Sequence, residues 1–491
     1  MSTSRTLLVL SIVPVFSIVL IFAWQANATP TWWWFDGPTD ELWSTSDNWR
    51  DDNHAQGVPP QTDDVYITTS DHDALNPDVT TGFDPTALID SSVSAVHYRL
   101  YVGGWLDTFD TIPAADPHGD PDGRYGVLNM TGGTLTGYDA GSCSNLPYIR
   151  VGTRGARGTV NQSGGTVTNC TSITLGYAGE ATLGKYNLSA GTINALGITV
   201  GGQGTGIFDM SGGTVDSTGS SPGYTSAGRG LTDDGQYNPG FGAILQSGGT
   251  FKAENMDLAR GTGSFGMLTV RGDAVFEALE DTSDTSNFEG AVKIGTYGVG
   301  AALQSGGDVD IKSLNVGFRP GSYGVFTITG GNLDIGDDLK VGSYKSRGSL
   351  VIGGGTVDVG DDLIIEDESR LTFIVNDTTP MITPIVVTDA VVIRLDVVID
   401  IDLANGVQTG VVLGDPVRPT CDQVLTLIEA DQLIISGNLQ NHLEPEAGSW
   451  GATSTHAEWV PDDADEWELA IDTSGATEKL TAKYVSSSVC P

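Results

Sequence analysis

Gly126-Val-Leu-Asn-Met-Thr-Gly-Gly-Thr-Leu135 returns, little changed, as Gly158-Thr-Val-Asn-Gln-Ser-Gly-Gly-Thr-Val167. Further copies open at Gly184, Gly206, Gly242, Gly266, Gly300, Gly324 and Gly348. Each reads glycine, a variable residue and usually a bulky apolar residue. Two more positions follow, then usually Ser or Thr, a small pair that is usually Gly-Gly, usually Thr, and an apolar residue. The opening glycines lie 22 to 26 residues apart, with three longer intervals. Self-similarity at such a period means one supersecondary unit stacked on itself.

The unit is made of strands. Apolar residues alternate with Thr, Asn and Asp around Val325, Ile328, Leu333 and Ile335, instead of recurring at a helical period. A second run follows most phrases, as in Ile149-Arg-Val-Gly152, Ile173-Thr-Leu-Gly176, Ile198-Thr-Val-Gly201, Leu314-Asn-Val-Gly317 and Leu339-Lys-Val-Gly342. One coil then holds about three short strands. The sequence predicts an all-β parallel β-helix (β-solenoid) of about ten coils, with an N-terminal cap and a C-terminal β-sandwich-like domain. The opening glycine and the Gly-Gly pair are expected at corners, where glycine enters positive φ without steric cost. Coils rising ~4.8 Å each make nine of them a rod about 40 Å long. The long intervals, Tyr138–Leu146, Ser217–Phe241 and Glu280–Gly290, are expected as outward loops. The interior should be columns of Leu128, Val160, Tyr186, Phe208, Ile244 and their equivalents Leu268, Ala302, Phe326 and Leu350. Gln162, Gln246 and Gln304 share that parity and are expected inside as amide ladders.

Arg5, the apolar stretch Leu7–Trp24 and Ala26-Asn27-Ala28 form a secretory-signal pattern, with cleavage expected after Ala28. Ile385–Leu403 is apolar but holds Asp389, Arg394, Asp396, Asp400 and Asp402, so it reads as strands. No membrane-spanning segment is expected after cleavage. Divided accordingly, residues 1–28 are the signal, 29–95 a Trp-rich cap, 96–370 the β-helix and 371–491 the C-terminal domain. The 62 acidic residues outnumber 23 basic ones, for a net charge of −39. Nucleic acid, which needs a basic face, is excluded as a partner. In an oxidising compartment the four cysteines are expected as disulfides. Cys143 with Cys170 and Cys421 with Cys490 is the pairing preferred among the three that four cysteines allow.

Trp32-Trp33-Trp34-Phe35-Asp36-Gly37, Trp43-Ser44, Asn48-Trp49, Val58-Pro59 and Asp63-Asp64-Val65-Tyr66-Ile67 follow one another near the N-terminus. This order resembles the N-terminal segment of secreted bacterial proteins with autotransporter-associated β-strand repeats, many of which end in a PEP-CTERM sorting tail. The Gly-Gly-Thr phrases, the Leu-x-Val-Gly runs and the tail from Leu371 to Val485 are similar to that group too. The resemblance covers most of the chain after the signal. It implies an extracellular or cell-surface β-helix. The sequence departs from the group at Ser486-Ser-Ser-Val-Cys-Pro491, which has no Pro-Glu-Pro motif, apolar helix or basic tail. Trp32, Trp33, Trp34, Trp43 and Trp49 are expected to cover the first coil, and Trp450, Trp459 and Trp467 the other end.

Candidate chemistry lies in carboxylates. Asp116, Asp120 and Asp122 stand in a proline-stiffened loop where alternating acids and a following glycine suit calcium, although the spacing is not an EF-hand. Asp310, Asp334 and Asp358 hold one position in three successive coils, and Asp337-Asp338 and Asp361-Asp362 do so in two. Stacking sets such like charges about 5 Å apart. Read as solvated columns they make an acidic face. Read as ligands they take calcium. Read as catalytic groups, Asp334, Asp337, Asp338, Asp358, Asp361 and Asp362 supply the carboxyl pair of a polysaccharide-cleaving site. Gly-His-Gly and Arg-x-Lys, found in pectin-cleaving β-helices, are absent, as is G-x-S-x-G. Arg271-Gly272-Asp273 falls at the Ser-Gly-Gly position of its coil and reads as repeat drift. Of the sequons at Asn129, Asn161, Asn169 and Asn187, those at Asn129, Asn161 and Asn187 are the phrase itself. Thr134-Leu-Thr136 and Thr166-Val-Thr168 start threonine rows that decay after two coils.

The function these features favour is a non-enzymatic exported surface or matrix protein for adhesion, with polysaccharide or other surface proteins as partners. The alternative is a carbohydrate-active β-helix enzyme acting at the Asp columns.

Overall fold

The computed structural model describes residues 31–34, 41–51, 56–61, 63–67, 86–104, 125–138, 147–168, 172–179, 181–218, 224–230, 239–279, 290–343, 345–375, 382–403, 423–437 and 467–484. Among these the chain is all-β, with a single 3-10 turn at Ser46–Asn48 and otherwise mostly parallel strands.

Each pass of the chain visits three hydrogen-bonded ladders in turn. The opening of each phrase forms the first ladder, as in Tyr125–Met130, Thr205–Met210, Phe241–Gln246 and Phe265–Val270. The Thr-apolar end of the phrase forms the second, as in Thr134–Gly137, Thr214–Ser217, Thr250–Ala253 and Val275–Ala278. The Ile-x-Val-Gly runs form the third, a sheet that includes Tyr148–Thr153, Ser172–Tyr177, Gly197–Val200 and Leu314–Val316 within Ser313–Val316. In five passes the first and second strands fuse into one long strand, such as Arg157–Thr168 or Tyr323–Ile335. Such a strand pairs with two separate strands of a neighbouring pass, for example Arg157–Thr168 with both Tyr125–Met130 and Thr134–Gly137. That double pairing joins the first two ladders and closes their hydrogen-bonded order on itself.

Register is strict because a one-residue slip would turn the apolar set outward. Leu128, Val160, Tyr186, Phe208 and Ile244 are partners in successive passes, and Leu268, Ala302, Phe326 and Leu350 continue the column. All nine are buried in one apolar core that receives side chains from all three ladders. Tyr186, Phe208, Phe251 and Phe276 form a chain of ring contacts through it.

The interior glutamines are a correction. Gln162, Gln246 and Gln304 are buried as expected, but they form no amide ladder with one another. They are not in adjacent passes, so each amide bonds backbone instead. Gln304 Nε2 donates to the Gly307 carbonyl of its own corner (3.3 Å) and to the Asn332 carbonyl of the next pass (2.8 Å). Gln246 does the same to Gly249 and Val275, and Gln162 to Gly165 and Thr192. Each glutamine therefore ties a corner from within. The amide ladder exists on the outside, where Asn161 donates to Asn129 (2.9 Å) and Asn187 to Asn161 (2.7 Å).

The opening glycine is a second correction. The second glycine of the Gly-Gly pair takes positive φ, as at Gly165 (φ 74), so that corner is conformational. Gly158, which opens the same phrase, does not. It is glycine because a Cβ there would lie 2.0 Å from the Val102 carbonyl oxygen and 2.4 Å from the Gly152 nitrogen. Two ladders approach too closely for any side chain between them.

The ladders outrun the repeat phrase at both ends. At the N-terminal side, Thr31–Trp34, Asp64–Ile67 and Arg99–Val102 already pair in parallel in the third ladder, and Thr86–Ile89 and Ser94–His97 pair with the first phrase. Trp49–Asp51 closes the edge of Thr31–Trp34 in antiparallel fashion. Trp43 and Trp49 are buried edge-to-face in the apolar core, with Trp49 Nε1 donating to the Trp43 carbonyl (2.7 Å), while the side chains of Trp32, Trp33 and Trp34 and residues Trp450 and Trp459 lie outside the described residues. The last phrase ends at Val357, and strand pairing goes on past it. Arg370–Val375, Val398–Leu403, Ile385–Val387, Ala390–Ile393 and Gln432–Ile435 continue the parallel pairing. Leu371, Phe373 and Val375 keep the alternation that a ladder needs after the glycines are gone. Only then does the direction change. Glu478–Tyr484 pairs antiparallel with Val424–Ala430 and with Trp467–Asp472.

Candidate functional site

The outward side chains of the second ladder, and the corner that follows it, collect the carboxylates. Lys252, Glu277, Asp310, Asp334 and Asp358 are register partners in successive passes. The alternation that buries Val309, Leu333 and Val357 points these neighbours to solvent. Lys252 Nζ meets Glu277 Oε2 at 2.6 Å, so the column begins neutralised. Asp310, Asp334 and Asp358 then follow at the ladder spacing. Burial raises the Asp310 carboxyl above its ordinary range, and the charges of Asp334 and Glu277 raise it further. Two residues earlier in the strands, Asn332 donates to Asp308 (2.8 Å) and Thr356 to Asn332 (2.9 Å), giving a hydrogen-bonded outer column beside the acidic one.

Past the end of these strands the chain turns toward the third ladder through Gly336-Asp337-Asp338 and Gly360-Asp361-Asp362. The two turns stack, and Thr388-Asp389 stacks on them, with the Asp389 nitrogen donating to the Asp361 carbonyl (3.2 Å). One carboxylate oxygen from each of Asp337, Asp338 and Asp361 lies within 4.8 Å of the others, and the same holds for Asp361, Asp362 and Asp389. Asp361 belongs to both groups. Its carboxyl is raised by partial desolvation and then by the charges of Asp362, Asp338, Asp337 and Asp389. Lys340 neutralises Asp338 (2.6 Å), and Asp362 Oδ1 accepts from the Ala390 nitrogen (3.1 Å). These two groups of carboxylates could hold a hard cation, which takes oxygen ligands.

The structure thus brings together Asp337, Asp338, Asp361 and Asp362, and keeps Asp334 and Asp358 on the adjoining strands. Asp389 joins the corner although no phrase marks it. The signal was available in the alternating run Ile385–Ile393, which carries it to the same place in the next pass. Asp116, Asp120 and Asp122 lie outside the described residues, as do Cys143, Cys170, Cys421 and Cys490. Arg271-Gly272-Asp273 sits at a Gly-Gly corner, with Gly272 at φ 65, as repeat drift requires.

One buried group was not anticipated. His97, on Ser94–His97, is fully buried with neither ring nitrogen hydrogen-bonded, and burial lowers its pKa to about 4. Among the described residues no helix is long and apolar enough to cross a membrane. No protein-family model matches the chain, and no curated protein matches it.

Proposed function

We propose that the three ladders form a parallel β-helix and that the protein is a non-enzymatic, exported surface or matrix scaffold of the autotransporter-associated repeat type. The observation that carries this reading is the register. Inward columns are apolar from pass to pass except for the corner-tying glutamines, so the other chemistry-bearing side chains stand in rows on the outer surface. Rows of this kind offer multivalent contact to a polysaccharide or another surface protein. The Asp337–Asp389 corner adds a divalent-cation contact of calcium type.

Incubation of the purified protein with acidic and neutral polysaccharides, followed by assay for new reducing ends or unsaturated products, tests the scaffold reading. No turnover is expected, with measurable retention on immobilised polysaccharide. Turnover lost in Asp334→Ala would replace the scaffold by a carbohydrate-active enzyme acting at the Asp columns.

A further inference from the structure

The corner between the third and first ladders differs in chemistry from the acidic surface. It carries Arg154 and Arg157 in one pass, then Arg229, Arg260, Arg319 and Arg347 in later ones. Arg260 and Arg347 are paired with Asp257 (3.5 Å) and Glu368 (3.2 Å), and the same stretches of sequence also hold Glu180, Asp233 and Asp234, so arginine is in excess there without being alone. Beside the arginines runs an apolar column. Phe241, Phe265, Val299 and Tyr323 are register partners at the start of successive first-ladder strands. Their parity turns them away from the core, and Phe241 is 52% and Tyr323 41% exposed. Arg347 continues the column, which ends in an open groove of about 330 Å³ lined by Tyr323, Arg347, Glu368, Arg370 and Asp396.

In a three-ladder coil the corner between ladders three and one lies across from ladder two. The arginine-aromatic edge and the Glu277–Asp358 column therefore stand at opposite ends of the long strands of the same passes. The acidic row repeats once per pass, at ~4.8 Å, while arginine stands at five of the eight corners that precede Gly158 to Gly348. We infer that this edge docks against the acidic second-ladder face of another copy of the chain, side by side, so that copies associate laterally. This rests on the β-helix scaffold reading and supplies its partner, a second copy.

Charge complementarity selects the occupant. The chain as a whole carries −39, yet its edge is cationic and apolar, so the surface most plentiful around it is the acidic face of its own kind. General repulsion between copies is screened beyond about 8 Å at physiological salt, whereas contacts at the edge are shorter than that. Exposed aromatic rings flanked by arginine are the residue types that anchor interfaces. An edge meeting a face is a heterologous contact. It does not close on two copies and extends into a layer or filament, which suits a matrix.

The test uses the full-length protein and sedimentation velocity across concentration and NaCl. The wild type is expected to form a concentration-dependent series of species that recedes as salt rises. Two charge-reversed proteins separate the surfaces: Arg319→Glu with Arg347→Glu on the edge, and Asp310→Lys with Asp334→Lys on the face. Each alone should lose association by about tenfold or more, because its remaining surfaces bring like charges together. An equimolar mixture should recover it, since the reversed edge then meets the reversed face and the native edge meets the native face. Unchanged melting temperature and β-type circular dichroism in both proteins exclude misfolding as the cause of loss. A wild type that stays monomeric at physiological salt, or a mixture that does not recover there, overturns the proposal. So does a monomer whose edge instead binds polygalacturonate in an Arg319→Glu-sensitive way. Small-angle scattering of the monomer keeps the two levels apart. A rod that does not associate removes the self-docking alone, and loss of the rod removes the coil beneath it.

Discussion

At the residue scale, His97 shows what a repeat tolerates when a polar group replaces an apolar one. Its folded pKa, about 4, lies below the ordinary 6.5 of the unfolded chain. Above pH 6.5 both states hold the ring neutral. Between 6.5 and about 4 the unfolded chain binds a proton that the fold refuses, so stability falls by about 3 kcal/mol over that window. Denaturant titrations from pH 7.5 to 4 should show this acid limb in the wild type and its loss in His97→Leu. Both ring nitrogens lack partners, so that change should cost little at pH 7.5. The third-ladder corners give a second case. Gly152, Gly176, Gly201 and Gly228 take positive φ there, and Ala259 takes φ 56 at the same place in a later pass. Relieving a left-handed alanine should make Ala259→Gly more stable by about 1 kcal/mol, read as a higher melting midpoint. The reverse change at an opening glycine should fail. The Cβ of Gly184→Ala would meet the Val151 carbonyl oxygen at 2.0 Å, and no soluble folded protein is expected.

At the element scale, outward columns matter through what stacks in them. Asn129, Asn161 and Asn187 look like glycosylation acceptors in the sequence, yet their amides bond one another along the ladder. Asn161→Ala removes two such bonds and should destabilise by about 1–2 kcal/mol in urea titrations, more than Asn187→Ala. The acidic corner behaves oppositely, because stacking concentrates repulsion. Calcium should raise the melting temperature by a few degrees over chelator, and Asp361→Asn should remove most of that increment. An equal increment in Asp361→Asn places the cation elsewhere.

At the scale of the whole molecule, repulsion among carboxylates is a standing cost. Asp310 and Asp361 have raised pKa values in the fold, so the fold takes up their protons more readily than the unfolded chain does. Their destabilising contribution is present at neutral pH and is relieved as pH falls through those raised values, opposite in sign to His97. In His97→Leu the melting temperature should therefore rise as pH is lowered into the acid range where these carboxyls take up protons. Sodium chloride at pH 7 should raise it too, by screening the −39 net charge.

The period of the phrase and the alternation within it were enough to read three strands per pass, an apolar interior column and the Asp rows. Each depends on local chain geometry repeated, and a repeat prints local geometry in the sequence. Contacts between positions that no phrase links were not legible. The Val102 carbonyl that makes Gly158 obligatory comes from a different ladder of an earlier pass. Gln304 reaches a carbonyl 28 positions away, and Asp389 enters the acidic corner after the glycine phrase has ended. The extent of the ladders was also set beyond the phrase, because hydrogen-bonded pairing asks for alternation and not for glycine. Periodicity thus determined what faces inward and outward, while only the stacking of passes decided which outward groups meet.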